Sequence, residues 1–63
     1  MDLSNLNLEF INLSNADLSY ANLTGSNLFG ACLKESNLNY AQISRANLQG
    51  ADVTDSKLIH ANL

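Results

Sequence analysis

A branched aliphatic side chain returns at every fifth position along the whole chain: Leu3, Leu8, Leu13, Leu18, Leu23, Leu28, Leu33, Leu38, Ile43, Leu48, Val53, Leu58 and Leu63. Few structures accommodate that interval. Along an α-helix five residues turn about 500°, so successive leucines step about 140° around the axis and form no stripe. Along a flat strand an odd interval sends alternate leucines to opposite faces. A chain that turns a corner once per repeat keeps them together. Four such sides close a square coil of about 20 residues, and neighbouring coils stack at about 4.8 Å through backbone hydrogen bonds.

The other positions of the repeat fit this reading. Two places before each aliphatic stands a small residue from the fourth repeat onward: Ala16, Ala21, Ser26, Ala31, Ser36, Ala41, Ala46, Ala51, Ser56 and Ala61. Between the two is usually Asn or Asp, as at Asp17, Asn22, Asn27, Asn37, Asn47, Asp52 and Asn62. The remaining two positions vary and carry the corners. Gly25, Gly30 and Gly50 stand where a type II turn needs positive φ, and Asn5 and Asn15 tolerate that conformation. Tyr20, Glu35, Tyr40 and Arg45 tolerate it poorly, so their corners are expected to use another turn. No proline interrupts the ladder of backbone donors.

The motif A-[DN]-L-x-x, written as ANLTG, ANLQG, ADLSY and SNLFG, resembles the pentapeptide-repeat family. The resemblance covers essentially the whole chain. It implies an all-β fold, a right-handed quadrilateral β-helix of about three 20-residue coils with no helices of note. The domain expected is a single solenoid over residues 1–63. Its core ladder runs through Leu18, Leu23, Leu28, Leu33, Leu38, Ile43, Leu48, Val53 and Leu58. Met1, Leu6 and Ile11 replace the small residue in the first three repeats, which suggests a wider or capping first coil. Cys32, Gln42 and Lys57 replace Asn or Asp at a peripheral place, where little consequence is expected. The ends of such a coil leave backbone groups and core open. They are expected to be covered by more of a longer protein or by end-to-end self-association.

Residues 20 apart should sit above one another, which turns the sequence into columns. Tyr20, Tyr40 and His60 share a corner and are expected to stack. Phe10, Gly30 and Gly50 share another, Asn5, Gly25 and Arg45 a third. Asn15, Glu35 and Asp55 form the fourth, with two carboxylates adjacent and Lys34 and Lys57 available for loose pairing. Asn7, Asn27 and Asn47 are expected to form an amide ladder. Cys32 should lie between Asn12 and Asp52. Phe29 and Ile59 are apolar residues at outward positions. Tyr20, Tyr40, His60, Phe29, Glu35 and Asp55 are therefore the candidate surface-interaction residues.

These features argue against an enzyme. The chain has no nucleophile–base pair, no phosphate loop and no cluster with metal spacing, and no cofactor or metal is expected. One cysteine gives no internal disulfide. The start MDLSNLNLEF is unlike a signal peptide, no apolar run approaches a membrane span, and a cytoplasmic setting is the default, with nuclear open if the source is eukaryotic. A net charge of −3 disfavours direct binding to nucleic acid or an anionic membrane. What remains is a non-catalytic scaffold with an unidentified protein partner.

The resemblance implies two further roles. Some family members are similar to DNA in width and charge and inhibit type II topoisomerases such as gyrase. Three coils rise about 14 Å, over which duplex DNA carries about eight charges; this chain has six acids and three bases. The segment DLSNLNLEFINLSNADLSYANL also looks like the repeat tail of BTB/potassium-channel-tetramerisation-domain proteins. There the BTB domain contacts a cullin-type ubiquitin ligase, and the tail is a candidate substrate-binding arm. No BTB residues are present.

Overall fold

In the computed structural model, which describes residues 1–62, the chain is a square coil with one corner every five residues. The last ladder position, Leu63, lies outside the described residues. Parallel backbone bridges join Asp2 to Asn22, Asn7 to Asn27, Asn12 to Cys32 and Asp17 to Asn37, the same spacing of 20 residues links the second coil to the third from Asn22–Gln42 to Asn37–Lys57, and Gln42 in turn bridges Asn62. Each side contributes a single bridged residue rather than an extended strand, and no helix occurs among the described residues. The three coils are residues 1–20, 21–40 and 41–62.

The backbone ladder has a direction. Each central aliphatic from Leu3 to Ile43 donates its N–H to the coil above, as Leu3 does to Asn22 (2.7 Å) and Leu23 to Gln42 (2.6 Å). The corner residue two places on does the same, Tyr20 to Asn39 (3.0 Å) and Glu35 to Thr54 (2.9 Å). The residue before the aliphatic donates downward, as Asn22 does to Met1 (2.8 Å). A turn bond closes the corner, as from Ala21 N–H to the Leu18 carbonyl (3.0 Å).

All twelve corners use one conformation. Gly25, Gly30 and Gly50 have positive φ, and so do Asn5, Phe10, Asn15, Tyr20, Glu35, Tyr40, Arg45, Asp55 and His60, between 56° and 63°. The separate turn expected at Tyr20, Glu35, Tyr40 and Arg45 is not used. A left-handed conformation costs an L-residue about 1–2 kcal/mol. Changing one corner would break the 20-residue period and with it the ladder bonds of the coils on either side, so the corner conforms.

Neighbours above and below decide burial. Leu23, Leu28, Leu33 and Leu38 of the middle coil are at most 1% exposed, and Leu18 and Ile43 are buried beside them. Leu48 is half-buried, whereas Val53 and Leu58 are 40% and 37% exposed. Both still line the apolar interior with the other aliphatics, but they have no described backbone above them. At that end an apolar cavity of about 230 Å³ is lined by the aliphatics from Leu23 to Leu58.

At the opposite end Met1 and Leu6 are exposed and Ile11 is half-buried. The first coil keeps the 20-residue register of the others, so these larger residues do not widen its turn. Ser26, directly above Leu6, is buried. Its hydroxyl donates to the Leu3 carbonyl (2.5 Å) and accepts the Leu6 N–H (3.1 Å), standing in for the direct turn bond at that corner.

Candidate interaction surface

With the aliphatics turned inward, chemistry is left to the outer wall. Its most ordered feature is the corner column of Tyr20, Tyr40 and His60. The two tyrosine rings lie 5.0 Å apart and 5° from parallel, and His60 stacks on Tyr40 at 5.3 Å and 22°. Tyr20 is 71% exposed and Tyr40 47%. The shared positive φ of the three residues aims each side chain along the same edge, and coil spacing sets the ring separation.

A second aromatic group forms at the next-but-one corner. Phe10, itself exposed, lies against Gly30, so close that a Cβ there would meet its ring at 2.7 Å. Its ring also meets the half-buried Phe29 edge-on at 5.6 Å and 86°. The glycine column is therefore not a bare flat surface: Phe10 covers Gly30, and a Cβ at Gly50 would make ordinary contact with the Gly30 backbone at 3.7 Å. Ile59 is exposed beside the tyrosine corner.

The charged candidates stay dispersed. Glu35 and Asp55 are both exposed at one corner, and no group of three His, Cys, Asp or Glu residues among the described residues is arranged to hold a metal ion. Lys34 helps to hold the Asp52 carboxyl low. Cys32 is half-buried, bridged between Asn12 and Asp52 as its column requires.

The Asn/Asp position has a role that the sequence reading missed. Its side-chain oxygen accepts the backbone N–H two residues on, as from Ser4 to Asp2 (3.0 Å), Thr24 to Asn22 (3.0 Å), Asn39 to Asn37 (3.0 Å) and Thr54 to Asp52 (3.0 Å). This is the one N–H per repeat that the coil ladder leaves over, and an Asx turn is how short amide or carboxyl side chains satisfy it. The expected amide ladder is accordingly reduced to one rung, Asn47 Nδ2 to Asn27 Oδ1 at 3.4 Å, while Asn7 Oδ1 serves Glu9 N–H. Lys57 has no such oxygen, and the Ile59 N–H turns to Asn39 Oδ1 of the coil below (2.9 Å). The regular Asn/Asp at that place was the signal.

Where the acceptor is Asp, its pKa is lowered. The Ser4 hydroxyl and then the Ser4 N–H hold Asp2 below the ordinary carboxylate value, and Ser19 does the same for Asp17. For Asp52 the Thr54 hydroxyl is the largest cause, followed by the Thr54 N–H, with Lys34 a smaller contribution.

A solenoid of five-residue sides, with its aliphatics turned inward and its variable residues outside, defines a class of repeat protein. The chain belongs to the pentapeptide-repeat family: the family's profile, described as "Pentapeptide repeats (8 copies)", matches residues 2–35 and again 26–63. Among solved structures it is similar to HetL, a pentapeptide repeat protein involved in heterocyst differentiation regulation from the cyanobacterium Nostoc sp. strain PCC 7120, with 39% identity and a TM-score of 0.64 over 98% of this chain and 32% of HetL. A further match is alr5209, a pentapeptide repeat protein from Nostoc PCC 7120, with 33% identity and a TM-score of 0.44 over 90% of this chain and 60% of that one. The chain thus spans about a third of the length of HetL. The likeness to HetL implies the right-handed quadrilateral β-helix. No curated protein gives a significant match.

Proposed function

We propose that this chain is a non-catalytic interaction module that binds a protein partner along the Tyr20–Tyr40–His60 edge. The observation that carries the reading is an ordered, solvent-facing aromatic stack on a rigid corner. Tyrosine is favoured at protein interfaces because its ring buries a large area at little entropic cost while the hydroxyl stays satisfied. Here the scaffold has already ordered the rings, so less is lost on binding. Ile59 extends the apolar contact beside the stack. HetL is described as taking part in differentiation regulation; regulation by contact with other proteins is the counterpart proposed here.

The gyrase-mimic role has less support. The first coil holds Asp2, Glu9 and Asp17 with no Lys or Arg, whereas Lys34, Arg45 and Lys57 offset Glu35, Asp52 and Asp55 in the later ones, unlike an even line of phosphates. The matches to cyanobacterial repeat proteins lend no support to a BTB-type adaptor.

The test is affinity capture from lysate of the source cells, comparing the wild-type chain with the Tyr20→Ala/Tyr40→Ala variant. The expected result is a captured protein whose affinity falls at least about tenfold in the variant, as for aromatic anchor residues, with the far-UV circular dichroism unchanged. Equal capture by both proteins would sink the reading.

A further inference from the structure

The side chains around the tyrosine corner leave one kind of hydrogen-bonding group facing outward. Asn22 Oδ1 accepts the Thr24 N–H (3.0 Å), Asn37 Oδ1 the Asn39 N–H (3.0 Å) and Asn39 Oδ1 the Ile59 N–H (2.9 Å). Each oxygen is committed to backbone, so the amide NH2 of all three is the free end, and it can only donate. Gln42, exposed in the column of Asn22, and the Tyr20 and Tyr40 hydroxyls also have no partner among the described residues, and none of these groups is buried. Donors therefore flank the aromatic stack on both walls, Asn37 and Asn39 before the corner and Asn22 and Gln42 after it. The Phe10–Phe29 group differs: it has no hydroxyl, and Asn47 Nδ2 beside it turns to Asn27 Oδ1.

The complement of this edge presents acceptors and apolar rings without charge. Carboxylates would supply acceptors, but the chain carries a net charge of −3, and like charges repel. Charge on the edge itself is balanced, with Asp17 below Asn37 and Lys57 above it. A polyproline II segment supplies neutral acceptors, because it makes no internal hydrogen bonds and its carbonyls stay open. Its proline rings pack on aromatic surfaces. The repeat lengths also agree. Three polyproline II residues rise about 9.3 Å, and two coils rise about 9.6 Å. A segment running along the solenoid axis thus sets prolines three apart on Tyr20 and His60, with Tyr40 between them.

We propose that the partner segment taken by this edge is proline-rich and in the polyproline II conformation. The aromatic stack packs its rings, and the flanking amides donate to its carbonyls. The inference rests on the partner-binding reading above and gives that partner its chemistry.

Titration of the isotope-labelled chain with a decaproline peptide, followed by heteronuclear NMR, tests it, with a Gly-Ser peptide of equal length as control. Saturable shifts are expected at Tyr20, Tyr40 and His60 and at the side-chain NH2 signals of Asn22, Asn37 and Gln42, with half-saturation below about 1 mM peptide. The control should cause none. Tyr20→Ala/Tyr40→Ala should weaken binding at least about tenfold. Asn22→Asp/Asn37→Asp removes two donors but keeps both turn oxygens, and Asp2 and Asp17 already stand in those columns. Each lost hydrogen bond is a factor of about 2–10, so this variant should bind at least about fourfold more weakly with its circular dichroism unchanged. Absence of saturable shifts, equal shifts with the control, or full-strength binding by either variant overturns the inference. Lysate capture that depends on Tyr20 and Tyr40 while decaproline does not bind also overturns it, and leaves the partner-binding reading standing.

Discussion

Leu28 and Leu58 occupy the same place in their repeats, yet Leu28 is fully buried and Leu58 is 37% exposed. The middle coil, residues 21–40, has backbone and side chains on both sides; the third has them only below among the described residues. Burial in this solenoid is thus a property of the stack rather than of the pentapeptide. In a quasi-one-dimensional protein each coil is stabilised by its nearest neighbours, so an identical residue has a different energetic role at an end and in the middle.

The largest expected effect is the core contrast itself. Leu28→Ala should cost about 2–5 kcal/mol, because close-packed surroundings on both sides cannot collapse into the cavity. Leu58→Ala, already in contact with solvent, should cost about 1 kcal/mol. Urea unfolding of the two variants measures the difference, and equal losses would break the comparison.

A smaller contrast separates Ser26 from Ser56. The buried Ser26 hydroxyl serves both the Leu3 carbonyl and the Leu6 N–H, so Ser26→Ala strands two groups and should cost about 1–3 kcal/mol. Ser56 donates only to the Val53 carbonyl in an exposed setting, and its alanine variant should lose at most about 0.5 kcal/mol. If Ser56→Ala proved the costlier of the two, the distinction between coil ends would need revision.

The smallest effect is acid sensitivity, and it should belong to the outer coils. Asp2, Asp17 and Asp52 have folded pKa values below the model-peptide 3.8. Each therefore contributes stability that is present above about pH 4 and is lost as pH falls through the lowered value. The corresponding acceptors of the middle coil, Asn22, Asn27 and Asn37, make the same backbone bond and do not titrate. Replacing the three aspartates by asparagine should flatten this part of the decline in thermal midpoint between about pH 5 and about pH 2. An unchanged decline would remove these turns from the acid response.

Much of the fold was legible because inward leucine and alanine report a steric requirement that recurs at every turn. The 20-residue columns followed by arithmetic, and Tyr20, Tyr40 and His60 stack where they place them. The corners were misread because Tyr20 and Glu35 were judged by local preference, whereas the ladder bonds of adjacent coils impose positive φ on every one. The Asn/Asp position was misread for a related reason. Its spacing suggested stacking between coils, but an unpaired N–H two residues away is nearer and must be satisfied.

By itself the sequence determined the side length, the number of residues per coil and which side chains face inward, since these depend on local sterics repeated at a constant interval. Only the tertiary structure decided that all corners share one turn, that Ser26 bonds down to Leu3 and Leu6 of the first coil, and that Val53 and Leu58 are less buried than the leucines of the middle coil. Those properties belong to contacts between residues about 20 apart, where the position of one backbone is set by another rather than by its own side chains.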